Sequence, residues 1–190
     1  MSSPVLLLLA GPNGAGKSTL VERVLAPRTG LPFINADVIA HERWPGEELE
    51  HAYEASRAAT VLRERLLSKQ RSFITETVFS HPSKVGLVHK AIGAGYLVDV
   101  HVVMVPADVS VGRVAHRVRR GGHDVPENKI RERWERLWPL LVDVRTVADR
   151  TTFYDNSSAT HPYRTCAVFE RGQLIGAPTW PRWAPHVLTD

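Results

Sequence analysis

The run Gly11-Pro12-Asn13-Gly14-Ala15-Gly16-Lys17-Ser18-Thr19 carries the most specific chemistry in the chain. Its spacing is that of a phosphate-binding loop, G-x-x-x-x-G-K-[ST]. The glycines let the backbone curl until successive N–H groups point inward at phosphate oxygens. The helix that starts at Lys17 adds its positive end. Lys17 has the length to reach β- and γ-phosphates, and the Ser18 hydroxyl is a ligand of the kind Mg²⁺ uses in such loops. The apolar run Val5–Ala10 immediately before the loop supplies the strand this motif requires. These residues predict a nucleoside triphosphate site, with ATP and Mg²⁺ as cofactors; a Gly-rich turn that binds nothing is the alternative.

Two single carboxylates follow predicted strands: Asp37 after Phe33-Ile34-Asn35-Ala36, and Glu76 within Phe73-Ile74-Thr75-Glu76-Thr77. Strand C-terminal ends of a parallel sheet face the ligand crevice, so both belong on the phosphate side. No paired Asp-Glu ends a strand, as in motor ATPases, and no Asn-Lys-x-Asp selects guanine. That layout suits a kinase acting on a small hydroxyl-bearing acceptor. Asp37 can orient the hydroxyl and take its proton, or cap the following helix. Glu76 can hold Mg²⁺ through water, bind the acceptor or form a strand-end salt bridge. Thr77 is a further substrate-side candidate, as is Lys84, although Ser80-His81-Pro82-Ser83-Lys84 reads first as a helix start.

Charge is concentrated. Residues 113–136 hold eight basic and four acidic side chains, a surplus equal to the net +4 of the chain, and the remaining residues carry 16 of each sign. A local arginine cluster suits a few phosphates at one site better than a long polyanion, so nucleic acid is not the expected partner. Arg113, Arg117 and Arg120 recur at helical spacings and share one predicted face. Together with Lys17 they are the cations expected to stabilise charge on a transferred phosphoryl group, on a lid that closes over the nucleotide. Gly121-Gly122 is the expected hinge, and His123 is expected to be a turn residue. Arg133 faces away from the apolar stripe Ile130, Trp134, Leu137, Leu141; some of these arginines are expected only to pair with glutamates, as Arg136 with Glu132.

These residues need a scaffold. Short apolar runs alternate with helical-period stretches, which predicts an α/β fold: a parallel sheet flanked by helices, with the arginine-rich helices as lid. Strands are expected at Val5–Ala10, Pro32–Ala36, Ser72–Thr77, Leu97–Val105, Thr151–Tyr154 and Thr165–Glu170. Helices are expected at Lys17–Leu25, Glu47–Gln70, Pro82–Ala94, Asp108–Arg120 and from Pro126 to about Ala148, the last kinked or split by Pro139. At roughly 100–200 residues per domain, 190 residues make one domain over 1–190. Its lid is expected at about 113–136, and a Pro/Trp strap at about 177–190 should pack on the body. Hydrophobic residues are 43% and charged residues 23%, which excludes wholesale disorder. The single cysteine, Cys166, excludes an internal disulfide and suits a reducing compartment. Val5–Ala10 is too short for a membrane span and lacks signal-peptide flanks, so a cytoplasmic protein without membrane contact is expected.

Taken together the motifs resemble the zeta-toxin family of P-loop kinases, especially its short stand-alone members. The matching residues are Gly11–Thr19, Asn35-Ala36-Asp37, Thr75-Glu76-Thr77 and Gly95-Tyr96. Further on they are Arg113–Arg117, Gly121-Gly122-His123-Asp124-Val125-Pro126-Glu127 and Tyr154-Asp155-Asn156-Ser157, so the likeness spans about residues 4–157. The family's better-known members phosphorylate the 3′-hydroxyl of the sugar in UDP-N-acetylglucosamine with ATP and Mg²⁺. The resemblance implies Asp37 as base, Lys17 and Ser18 as nucleotide and Mg²⁺ ligands, Glu76 as a substrate-side residue and Arg113 as a lid arginine. It leaves the second arginine open among Arg117, Arg120 and Arg133, because the chain has Gly122-His123 where large zeta toxins place one. A small-molecule acceptor is the implied substrate, and an antitoxin protein is a partner the family makes testable. A non-catalytic nucleotide-binding module and a nucleic-acid end kinase are the alternatives.

Overall fold

The computed structural model describes residues 3–120, 122 and 124–189. Gly121 and His123, the expected hinge and turn residues, lie outside them. Among the described residues seven strands form one sheet in the order β2-β3-β1-β4-β5-β6-β7. Its centre is β1 (Val5–Ala10), whose residues Leu6 to Ala10 are buried. A strand covered on both faces has to be apolar throughout, which explains the unbroken leucine run. It pairs in parallel with β3 (Phe73–Thr77) and β4 (Leu97–Met104), while β2 (Phe33–Ile34) pairs with β3 and β5 (Arg150–Asp155) with β4.

Side chains alternate between two packed layers. Leu6, Leu8, Phe73, Val98, Val100 and Val102 meet α4 (Ala52–Ser68), α5 (Ser83–Gly93) and α7 (Glu127–Val147), which contribute Ala59, Val88, Leu137, Trp138 and Leu141. Leu7, Leu9, Ile74 and Val103 face the other way, toward Leu20 and Val21 of the helical segment that follows the loop. That segment is α1 (Lys17–Leu20), a π-helical turn (Val21–Leu25) and α2 (Ala26–Thr29). It outruns the expected end at Leu25. Pro27 cannot donate to the i−4 carbonyl, and the wider turn absorbs that missing bond. Gly30, at φ 63°, then terminates it.

Several expectations are corrected. The sheet is parallel only through β5; β6 (Arg164–Glu170) and β7 (Gln173–Leu174) extend it antiparallel. The connection at 156–163 contains no helix, and without a crossover the chain can only turn back on the neighbouring edge. The helix expected from Glu47 starts at Ala52, because Trp44 to His51 fold into turns braced by Glu48, which accepts from Gly46 N at 3.1 Å. Helix α6 (Ala107–Val118) stops before Arg120, so Arg120 does not extend the face of Arg113 and Arg117. Helix α7 passes through Pro139 unsplit, held by buried Leu137, Trp138, Leu141 and Val144 around it. A short helix, α3 (Ala36–Arg43), follows β2 directly.

The C-terminal stretch crosses the open side of β5 and β6: Thr179 N donates to Cys166 O at 2.7 Å, and Trp180 packs edge-on against Phe153. It ends in α8 (His186–Thr189), where Leu188 is buried.

Gly11 joins β1 to the loop with φ +144°, and a Cβ there would sit 2.2 Å from the Val103 carbonyl oxygen. Gly11→Ala is therefore expected to destabilise the protein by about 2–4 kcal/mol, read as a lowered urea midpoint with an unchanged m-value.

Candidate functional site

Strand β1 delivers the loop to the C-terminal edge of the sheet, and the register places Leu9 beside Glu76 and Ala10 beside Thr77. Glu76 shares the face of Ile74, on which α1 begins, while Thr75 points away and donates its hydroxyl to Ile34 O at 2.8 Å. Glu76 therefore meets the start of α1. Ser18 Oγ donates to Glu76 Oε2 at 2.8 Å, and Lys17 Nζ lies 3.9 Å from Glu76 Oε1. Of the roles open to Glu76, these contacts put it beside Ser18, on the phosphate side.

Lys17 is a buried charge. Its side chain is 6% exposed, and Nζ donates to Pro12 O at 2.9 Å. Burial lowers its pKa from the ordinary 10.5; the carboxylates of Glu76 and Asp37 act in the opposite sense, and the Arg117 guanidinium adds to the lowering. A buried ammonium with one close carbonyl and one carboxylate at the limit of contact is under-neutralised, and incoming phosphate oxygens would complete its shell.

The loop is held from its far side by residues remote in sequence. Asn156 Nδ2 donates to Ala15 O at 2.7 Å, and Tyr163 Oη donates to Gly16 O at 2.8 Å. Ser110 Oγ donates to Asn13 O at 2.5 Å, and Arg113 donates to Gly14 O at 3.4 Å and to Asn156 O at 2.9 Å. Four consecutive loop carbonyls are thus bound outward, which leaves the amides facing the cavity. Gly16, at φ +96°, has no alternative: a Cβ would lie 2.6 Å from Asn156 Nδ2. Asn156 belongs to the Tyr154–Ser157 run noted in the sequence, but its contact to the loop, like those of Ser110 and Tyr163, has no local sequence signal.

Asp37 sits in the first turn of α3. The cap of that helix is Asn35, whose Oδ1 accepts from Asp37 N at 2.7 Å and Val38 N at 3.4 Å. The capping alternative for Asp37 is thereby taken by its neighbour, and the Asp37 carboxylate is exposed toward a cavity of about 700 Å³. Asn13, Gly14, Gly16, Lys17, Ser18 and Thr19 line that cavity with Asp37, Glu76 and Thr77, and Arg113, His116, Arg117 and Arg133 face them. Gly11, Pro12 and Ala15 form the loop behind this lining. His116 was missed as a lining residue; its place three positions after Arg113 was the available signal.

Two expected residues are elsewhere. Lys84 lines a separate groove between α4 and α5. Arg120, past the end of α6, does not line the cavity, and its backbone N–H donates to Arg117 O. Arg113, expected on a lid, is bonded to the loop and to Asn156 and so belongs to the body of the site. No cluster of three or more metal-ligating His, Cys, Asp or Glu exists among the described residues. Ser18 with its Glu76 partner still fits Mg²⁺, a hard cation that takes few protein oxygens and completes its shell with phosphate and water.

A glycine-rich loop with a buried lysine, at the C-terminal edge of a sheet whose parallel strands run 2-3-1-4-5, defines a P-loop domain of the kinase fold. The sequence matches the AAA domain family over residues 6–140, and the chain belongs to that family. The expected zeta-toxin-like P-loop kinase fold is the one observed. A chain of the PezAT chromosomal toxin–antitoxin system of Streptococcus pneumoniae superposes with a TM-score of 0.60 at 17% identity, covering 82% of this chain and 69% of that one. A chain of the AvrRxo1-ORF1:ORF2 complex solved with ATP gives 0.62 at 16% identity over 91% of this chain, which spans only 60% of that one. Shikimate kinase from Acinetobacter baumannii in complex with shikimate gives 0.51 at 22% identity, with coverages of 75% and 80%. Comparison with curated proteins gives no significant match. No described helix is long and apolar enough to cross a membrane.

Asn156→Ala would leave the buried Ala15 carbonyl unpaired. It is expected to cost about 1–3 kcal/mol in chemical denaturation and to weaken ATP binding, whereas an unaffected loop would leave both unchanged. Because the Lys17 pKa is lowered, nucleotide affinity should fall on the alkaline side at a pH below 10.5, as the ammonium loses its proton; calorimetric titrations across pH would show it.

Proposed function

We propose that this chain transfers the γ-phosphoryl group of ATP, with Mg²⁺, to a hydroxyl of a small molecule. One observation carries the reading: Asp37, released from helix capping by Asn35, faces the same cavity as Lys17 and Ser18. A binding module needs no carboxylate there; a phosphotransferase does. The acceptor O–H donates its proton to the Asp37 carboxylate as the oxygen forms its bond to Pγ, and the bond from Pγ to the β-bridging oxygen breaks to release ADP. Mg²⁺, held beside Ser18 and Glu76, would neutralise β- and γ-phosphate charge.

Arginine pairing supports the assignment of cations. Arg131 is bound by Asp108 and Glu127, while Arg136 and Lys129 reach Glu132. Arg133 has no such carboxylate among the described residues and lines the cavity from α7. Arg117 lines the same cavity from α6, so of the three arginines the resemblance left open, Arg117 and Arg133 are placed to serve and Arg120 is not. UDP-N-acetylglucosamine is the first acceptor to test, on the zeta-toxin resemblance alone. An antitoxin protein is the corresponding partner, and the PezAT likeness supports looking for one.

Transfer of labelled phosphate from ATP and Mg²⁺ to UDP-N-acetylglucosamine tests the reading. Asp37→Asn should lower kcat by about 10²–10⁴-fold with ATP affinity nearly unchanged, and Arg133→Gln should lower kcat more than it raises the ATP KM. Transfer only to smaller hydroxyl compounds would replace the acceptor and keep the reaction. Intact ATP binding without transfer to any acceptor would make the chain a binding module.

A further inference from the structure

The groove that holds Lys84 shares no lining residue with the P-loop cavity. It has a volume of about 350 Å³ and lies between α4 and α5, lined among others by Arg63, Leu67, Lys84 and Leu87. Charge is unbalanced within it. Of its ionisable residues Arg63, Glu64, Lys84 and Lys90, three are cationic, and the one carboxylate is 3.6 Å from Lys90 Nζ. Arg63 donates to Thr60 Oγ1 at 2.9 Å, a neutral partner. The Lys84 ammonium has no hydrogen-bond or ion-pair partner among the described residues. Both side chains are half-buried, and each has its pKa lowered by burial; the guanidinium adds to the effect on Lys84, while the Glu64 carboxylate, shared with Lys90, opposes it at Arg63.

Two like charges, partly desolvated and side by side, repel each other unless an anion joins them. The Thr60 and Ser83 hydroxyls at the same groove are engaged by Ser56 O and His81 Nδ1, so the two cations are its anion-binding groups, and Leu67 and Leu87 supply an apolar floor. We propose that the α4–α5 groove is a second ligand site, separate from the P-loop, for a small phosphate monoester. Arg63 and Lys84 engage its phosphate, and an apolar body lies against Leu67 and Leu87. A guanidinium and an ammonium lining one groove, close enough to act on each other's charge, suit a dianion better than a monoanion.

Phenyl phosphate is the probe, followed by amide NMR on the full chain. Saturable shifts are expected at residues 60–67 and 83–90, weakened about tenfold in Lys84→Gln and in Arg63→Gln and retained in Lys84→Arg. Phosphate entering the P-loop would move amides of residues 11–19, and those shifts should be the same in all three variants. Benzoate, with the same ring and a carboxylate, should bind the groove more weakly. Shifts confined to 11–19, groove shifts indifferent to both glutamine variants, or benzoate binding as tightly as phenyl phosphate would each overturn the assignment.

Discussion

A buried ammonium is the constraint on which this site depends. Lys17 is buried, and its close partners among the described residues are the Pro12 carbonyl and the Glu76 carboxylate near 4 Å, with Asp37 acting from further off. Desolvating a charge costs several kcal/mol unless partners replace the lost water. The fold offsets part of that cost through register: Leu9 pairs with Glu76, so the acid arrives at the start of α1 on the face where Lys17 and Ser18 emerge. A slip of one residue in β3 would turn Glu76 to the opposite layer and bring Thr75 or Thr77 in its place.

The loop around Lys17 is shaped by the protein's own side chains. Ser110, Arg113, Asn156 and Tyr163 hold its carbonyls from the outside, and Tyr163 adopts φ 53° in doing so. A non-glycine residue in that region costs about 1 kcal/mol, offset by the bond to Gly16. Rigid placement of amides in advance lowers the entropy lost when phosphate binds. The same logic sorts the basic cluster. Carboxylates of α7 and, for Arg131, Asp108 of α6 pair with Arg131, Arg136 and Lys129, so the cluster's charge reaches the cavity through Arg113, Arg117 and Arg133.

What could be read in the sequence was whatever depended on local pattern. The loop, the strand before it, the end of β3 and the strand-end acids followed from periodicity and spacing, whereas the expected break at Pro139 does not occur, because buried Leu137, Trp138 and Leu141 hold α7 together across it. What depended on distant contacts could not be read. Helical spacing aligned Arg120 with Arg113 and Arg117, but α6 stops at Val118 and carries Arg120 out of the array. Lys84 follows β3 closely enough to suggest the active cavity, yet α5 turns it toward α4. Asp37 was read as base or cap, and only the geometry of the first turn of α3 gives the cap to Asn35 instead. The antiparallel β6 and β7 depended on the length of the 156–163 connection, which no hydrophobic period records.

The account stands most directly on calorimetric titration of Mg·ATP into the wild type and Lys17→Met, a side chain of similar length without the charge. It predicts a single site in the wild type and affinity at least about 100-fold weaker in the variant, because the phosphates complete the shell of a cation the fold leaves under-neutralised. Equal affinity in the two proteins would contradict it, and would mean that nucleotide binds away from the loop.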